Sequence, residues 1–251
     1  MGETSTRGGG PRTIALDGPA ASGKSTVGRR LAASLGALFF DTGALYRALA
    51  VLALEDGLSP DDGRALGDLA RRAHLEVVAR PETAAGYAVL AGERDLTSRL
   101  WRREVDAIVS AVSAHGAVRE ALLDAQRRVA AHTPVVMVGR DIGTVVLPEA
   151  ELKLYLDASL EARARRRYRE LLASGEAVTF RDVLDALGRR DARDAGRELA
   201  PLAVAPDAVV VSTDRCDAEA VVDHLVDLVR RWPDALTTAG GTADCQERPR
   251  G

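Results

Sequence analysis

Short apolar runs, each followed by a longer stretch with apolar positions three and four residues apart, recur along this chain and predict strands alternating with helices. Thr13 to Leu16, closed by Asp17, is the first run, and Lys24 to Leu35 is the helix after it, with Val27, Leu31 and Leu35 on one face. Ala37 to Phe40 is the second, ending at Asp41 and Thr42, either of which would cap a helix from Gly43 to about Asp56. Past a helix at 60–73, the segments LEVVA, YAVLA and RDL are broken by Pro81, Gly86 and Gly92, which predicts a small antiparallel sheet between His74 and Leu96. Helices at 102–114 and 117–131 lead to strands at Val135–Val138, Leu152–Leu156 and Ala208–Val211, whose unbroken apolar character belongs to strands covered on both faces. Helices at Leu160–Ala173 and Thr179–Arg193 separate the last two strands, and 217–231 is an amphipathic closing helix. The class is α/β: a parallel sheet flanked by helices, with an antiparallel insert, whose ligands sit at the carboxyl ends of the strands.

Immediately after the first strand, Gly18 to Thr26 reads GPAASGKST and fits the phosphate-loop pattern G-x-x-x-x-G-K-[ST] in the strand–loop–helix context that pattern requires. Gly18, Pro19, Ala20, Ala21, Ser22 and Gly23 would turn successive backbone N–H groups toward a polyphosphate. Lys24 would reach the terminal phosphates, and Ser25, beside Thr26, would offer its hydroxyl to Mg2+. Only Lys24 and Lys153 are lysines among 34 basic residues. A lysine retained at this position suits a slim ammonium that passes between phosphate oxygens where a guanidinium is bulky.

Composition narrows the partners. A formal net charge of −3 in 251 residues gives no overall attraction for nucleic acid or anionic membrane, so phosphate binding has to come from local arginine clusters. No stretch is long and apolar enough to span a bilayer, and the polar start MGETSTRGGG lacks the apolar core of a signal peptide. Gly2 and Thr6 match the loose myristoylation pattern, but 1–11 and 233–251 are read as disordered tails. Cys216 and Cys245 make neither a disulfide scaffold nor a metal site, and a reducing cytoplasm is the expected location.

The strand ends supply the candidate second substrate site. In DTGALYR, Thr42, Tyr46 and Arg47 could hold an acceptor, against the alternative of a capped helix with a core tyrosine; Arg47 near a helix start opposes the helix dipole and calls for an anion. Gly139-Arg140-Asp141 follows another strand, so Arg140 could neutralise a phosphate and Asp141 could accept from a base amino group or join an Mg2+ shell, unless the two form a surface ion pair. Arg163, Arg165, Arg166, Arg167 and Arg169 stand together with no acid among them, as a mobile lid would require and as a solvated basic face would also allow. Arg190, Asp194 and Arg197 place a carboxylate between two guanidiniums, suited to a ribose and a phosphate or to a structural ion-pair network.

These segments, with GRDIGTVVLPEAELKLYLDAS and RDARDAGRELAPL, resemble bacterial cytidylate kinase in order over roughly residues 12 to 231. The resemblance implies a single nucleoside monophosphate kinase domain at 12–232, with an NMP-binding insert at about 60–131 and a lid at about 160–176. It implies that Thr42, Tyr46, Arg47, Ser110, Arg119, Arg140, Asp141, Arg190, Asp194 and Arg197 surround CMP. Ser110, Arg119 and Asp141 would read the cytosine, Arg47 and Arg140 would hold the phosphate, and Tyr46, Arg190 and Asp194 would lie near the ribose. Lys24, Arg140 and two lid arginines, Arg163 and Arg167, would serve the transfer. Where that family usually carries an isoleucine-arginine pair this chain has Leu100-Trp101, so the arginine's contact lapses or passes to Arg102.

The implied reaction is ATP-dependent phosphorylation of CMP, and of dCMP, to the diphosphate with Mg2+, by a cytoplasmic monomer with no nucleic-acid or membrane partner. The acceptor is already an ionised phosphate oxygen, so no general base is needed. A kinase for AMP or shikimate, or a nucleotide-binding switch, are the rival readings; the absence of an N-K-x-D pattern counts against a GTPase.

Overall fold

Six parallel strands form the main sheet in the order β2-β6-β1-β7-β8-β9. They are β1 (Thr13–Asp17), β2 (Leu38–Asp41), β6 (Val135–Val138), β7 (Leu152–Asp157), β8 (Val209–Ser212) and β9 (Thr242–Asp244). The computed structural model describes residues 10–80, 82–83, 85–197, 199–232 and 242–244. In β1, Ile14 lies opposite Val136 of β6 on one side and Leu152 of β7 on the other, so β1 is fully flanked. All of β6 and most of β7 are buried, which is why these runs carry no polar alternation. Within the tail read as disordered, Thr242–Asp244 instead pairs with β8, whose outer edge is otherwise an open row of hydrogen-bonding groups; the rest of the tail and the leader up to Gly9 lie outside the described residues. Cys216 is disulfide-bonded, where the sequence led to the expectation of no disulfide scaffold.

α1 (Lys24–Leu35) and α8 (Ala218–Arg230) pack together against the sheet, and α1 approaches it through Gly28, where a Cβ would stand 2.7 Å from Val138. The expected antiparallel insert is present as β3 (Leu75–Arg80), β4 (Gly86–Ala91) and β5 (Arg94–Asp95). It is seated on α2 (Gly43–Glu55) and β2 by Tyr87, whose ring meets Phe40 edge-on at 5.3 Å, and by Glu55, which receives Arg94 and Arg99. α3 (Gly63–Arg72), N-capped by Asp62, packs on α5 (Gly116–His132), and α4 (Arg103–Val112) packs on α2.

α6 (Leu160–Ala173) and α7 (Phe180–Ala195) form a pair with a small core of their own, in which Ala164, Val183 and Leu187 close on Ala20 of the phosphate loop. Ser159 caps α6, and Thr179 with Asp182 forms a reciprocal capping box at α7, so the pair is defined by local sequence as well as by packing. The strand ends Asp17, Asp41, Val138 and Asp157 therefore share the carboxyl end of the sheet.

Candidate active site

At the end of β1 the chain reverses at Gly18, with φ +146°, and a Cβ there would meet the Leu156 carbonyl oxygen at 2.2 Å. Ala21 at φ 59° and Gly23 at φ 94° add left-handed residues, and this curls the loop's N–H groups toward one point. α1 starts with no side-chain cap and no acid in its first turn, leaving its N–H groups and positive dipole end open to an anion. Lys24 is buried and folded back, its Nζ donating to the Pro19 carbonyl and, at 3.3 Å, to Ser22 Oγ. Burial, then the Arg140 charge, hold its pKa well below the usual lysine range. Asp17 lies behind the loop, accepting N–H groups from Ile142 at 2.9 Å and Gly143 at 2.7 Å; burial outweighs those bonds and pushes its pKa up to about 6.

A single cavity of about 640 Å3 runs from this loop across the strand ends to a cluster of arginines. The side away from the loop is wired by two carboxylates. Asp141 pairs with Arg119, both buried, and Arg119 lies over the Tyr46 ring at 5.3 Å. Asp194 accepts Arg140 Nε at 3.2 Å and Arg197 Nη2 at 2.5 Å. Arg190 adds another guanidinium, its Nε shut from solvent with no hydrogen-bond partner; burial first, then Arg140, push its pKa down to about 10. Nε of Arg119 and of Arg197 are also buried without a partner. Guanidiniums that outnumber their carboxylates and keep unused N–H groups are suited to an oxyanion.

Most of the expected residues meet at this cavity. Its walls include the loop from Ala20 to Thr26 together with Thr42, Tyr46, Arg47, Arg119, Arg140, Asp141, Arg167, Arg190, Asp194 and Arg197. Gly18 and Pro19 shape the loop from beneath. Thr42 spends its hydroxyl on the Val138 carbonyl at 3.1 Å, and the helix-start role falls to Asp41, which accepts Gly43 N at 3.0 Å. Arg140 and Asp141 do not pair with each other as a surface ion pair would; each is bonded across the cavity to a different element.

Other expectations are corrected. Ser110 is half-buried on α4 and is not among the residues lining the cavity; Ser113, one turn on, lines it instead. Arg163, expected among the transfer arginines, is engaged within the protein: its side chain is 6% exposed, with Nε on Ala158 O at 2.9 Å, Nη1 on Ala20 O at 3.0 Å and Nη2 on Asp191 at 2.7 Å. It ties the phosphate loop to α7. The arginine run is also less bare than its own residues imply, because the flanking Glu161 takes Arg165, Glu170 takes Arg167, and Thr213 takes Arg166. Arg102 does not line the cavity and lies 3.9 Å from Glu104.

The cytidylate kinase family model matches residues 14–231. The chain belongs to the cytidylate kinase family. A cytidylate kinase of Herpetosiphon aurantiacus is 49% identical over 221 residues, covering 87% of this chain and 94% of its own. One from Carboxydothermus hydrogenoformans is 44% identical over 223 residues, covering 89% and 99%. Among solved structures, a gluconokinase from Sinorhizobium meliloti is similar at 16% identity over 93% of this chain and 99% of that one, with a TM-score of 0.46. As a cytidylate kinase family member this chain is a phosphotransferase acting on nucleotides, and the one cavity joins a phosphate loop to an anion-binding cluster as such a reaction needs.

Several residues of this cytidylate kinase site escaped the sequence reading. Asp41, read only as a cap, accepts Ser25 Oγ at 2.7 Å; its position at a strand end was the available signal. Asp106 and Val109 line the cavity beside Trp101, which the sequence marked only as a departure from the family's pair, and Gln126, buried on α5, donates to Tyr46 Oη at 3.1 Å. Helical spacing alone does not tell such residues from core. Among the described residues no group of three or more His, Cys, Asp or Glu is placed to hold a metal. The Ser25 hydroxyl and Asp41 carboxylate are hard oxygen donors beside the loop, which fits an Mg2+ held mainly by substrate phosphates.

Proposed function

We propose that this protein transfers the γ-phosphoryl group of ATP to CMP, and to dCMP, giving ADP and the cytidine diphosphate, with Mg2+, as a cytoplasmic monomer. The observation that carries this reading is the continuity of the cavity: a phosphate loop at one end and an excess of guanidiniums around Asp141 and Asp194 at the other. The relatives' name supplies the acceptor's identity.

The loop N–H groups and Lys24 bind the donor phosphates, Lys24 leaving Pro19 and Ser22 to do so. Arg47, Arg140 and Arg190 hold the acceptor phosphate, while the Arg119–Asp141 pair presents paired donor and acceptor groups to the base edge. Arg167 approaches the transferring group from α6. Ser25 and Asp41 would hold an Mg2+ together with the substrate phosphates, and the ion would supply charge neutralisation on the donor. The attacking group is an ionised phosphate oxygen, so rate comes from alignment and charge neutralisation and no proton need be removed.

ADP release measured with ATP and a panel of nucleoside monophosphates tests the proposal. CMP and dCMP should stimulate release well above AMP, GMP and UMP. A faster rate with another acceptor, or no acceptor dependence at all, overturns it.

A further inference from the structure

We infer that Trp101 is a positioning residue for the acceptor, acting through Arg47; the inference rests on the proposed acceptor site. Trp101 follows a short 3-10 turn at Thr97–Arg99 and stands at the cavity wall with its side chain 56% exposed, an unusual outlay of indole surface on a protein with two tryptophans. One use of that ring is visible. The Arg47 guanidinium carbon lies 4.2 Å from its centroid, within the range in which a cation is held by an aromatic face.

The remaining contacts of Arg47 hold the same group edge-on. Its Nη1 donates to the Leu100 carbonyl at 3.1 Å and pairs with Asp106 at 2.6 Å. The hydrogen bond and the ion pair both engage Nη1 and leave the Nε–Nη2 fork for bidentate contact with a phosphate. Leu100 O and Asp106 fix one nitrogen but not the plane of the group, which can still turn about that point. The indole fixes the plane. An arginine without it loses rotamer freedom only when the acceptor arrives, so acceptor affinity falls while the transfer step, once the complex is aligned, changes little.

The test is steady-state kinetics at saturating ATP, with the acceptor that proves fastest in the nucleotide panel varied, for wild type, Trp101→Ala, Trp101→Leu and Trp101→Phe. The Ala and Leu variants should raise the acceptor KM about three- to tenfold, with kcat and the ATP KM altered less than about twofold; Phe, which keeps an aromatic face, should stay within about twofold of wild type. In an Arg47→Ala background, Trp101→Ala should cost less than a further twofold in kcat/KM. Melting temperature should not move, since the side chain is mostly exposed.

An unchanged acceptor KM in the Ala and Leu variants, a Phe variant as weak as Leu, or a Trp101 penalty that persists without Arg47 each overturns the inference, the last by assigning the indole a direct contact with the nucleotide. If the fastest acceptor is not a cytidine nucleotide the proposed function falls, and the Trp101 comparison still decides this point.

Discussion

Asp17 is the residue whose chemistry is least visible from its surroundings in sequence. It reads as the closing residue of a strand, yet it is 4% exposed and carries two backbone N–H groups of the turn that follows Arg140-Asp141. Its pKa rises from the ordinary 3.8 to about 6, so the folded chain binds more protons than the unfolded chain between those values. The contribution of this carboxyl is therefore largest below the unfolded pKa and is lost as pH rises through 6. Between pH 4.5 and 7 the loss amounts to about 2 kcal/mol. Glu55, Asp95 and Asp182 have depressed pKa values, the first two and the third alike through side-chain hydrogen bonds, and they work in the opposite direction, so the whole-protein profile mixes the signs. Urea denaturation of wild type and Asp17→Asn across this range isolates the effect: wild-type stability relative to the variant should fall by about that amount on going to pH 7. Parallel curves would show that Asp17 does not titrate in this window.

At the scale of elements, α6 shows what periodicity can and cannot say. The helix and its arginine content were legible at 160–173, and the observed span is Leu160–Ala173. Which arginine faces substrate was not, because that depends on where α7 packs. Asp191 lies well along the chain from Arg163, and only the α6–α7 contact makes Arg163 a strut rather than a transfer group. The two arginines should separate in experiment. Arg163→Ala strips a partner from Asp191 and frees the Ala20 carbonyl, at a cost of about 3 kcal/mol, which for a chain of this size lowers Tm by roughly 6–12 °C. Arg167 is 46% exposed and paired with the still more exposed Glu170, so Arg167→Ala should leave Tm within about 2 °C and reduce kcat by about 10²-fold or more. A stable Arg163 variant, or an Arg167 variant with wild-type kcat, would reverse the assignment. Ser110 lies off the cavity for the same kind of reason: which positions of α4 face it is set by Val105, Val109 and Val112 packing on α2, and Ser113, at the helix end, is the serine that lines it.

For the whole molecule, the succession of strands and helices along the chain was readable because the parallel segments β1, β2, β6, β7 and β8 are short, apolar and bounded by turn residues; their order across the sheet is a matter of tertiary packing that no single segment records. The sixth strand was not readable, since TAD in a polar tail has no periodicity to distinguish it and forms only against the open edge of β8. The resulting architecture sets two packed parts around the cavity: the main core, which carries the phosphate loop together with Arg47 on α2 and Arg119 on α5, and the α6–α7 pair, which carries Arg167, Arg190 and Asp194. A ligand in the cavity bridges the two parts, which meet at Ala20, and under the proposed function binding of each substrate should stabilise the fold in proportion to occupancy. CMP alone or a non-hydrolysable ATP analogue alone, each at a hundred times its Kd, should add about 2.7 kcal/mol, and the two together at least the sum of roughly 5 kcal/mol. Lys24→Ala, which lacks the ammonium now stored against Pro19, should abolish turnover and the ATP-analogue shift while keeping the CMP shift and the unliganded Tm. Thermal unfolding of both proteins with each ligand combination measures all of these at once. Loss of the CMP shift in Lys24→Ala would mean the two halves of the cavity are not independent sites, and retention of the ATP-analogue shift would remove Lys24 from the donor half.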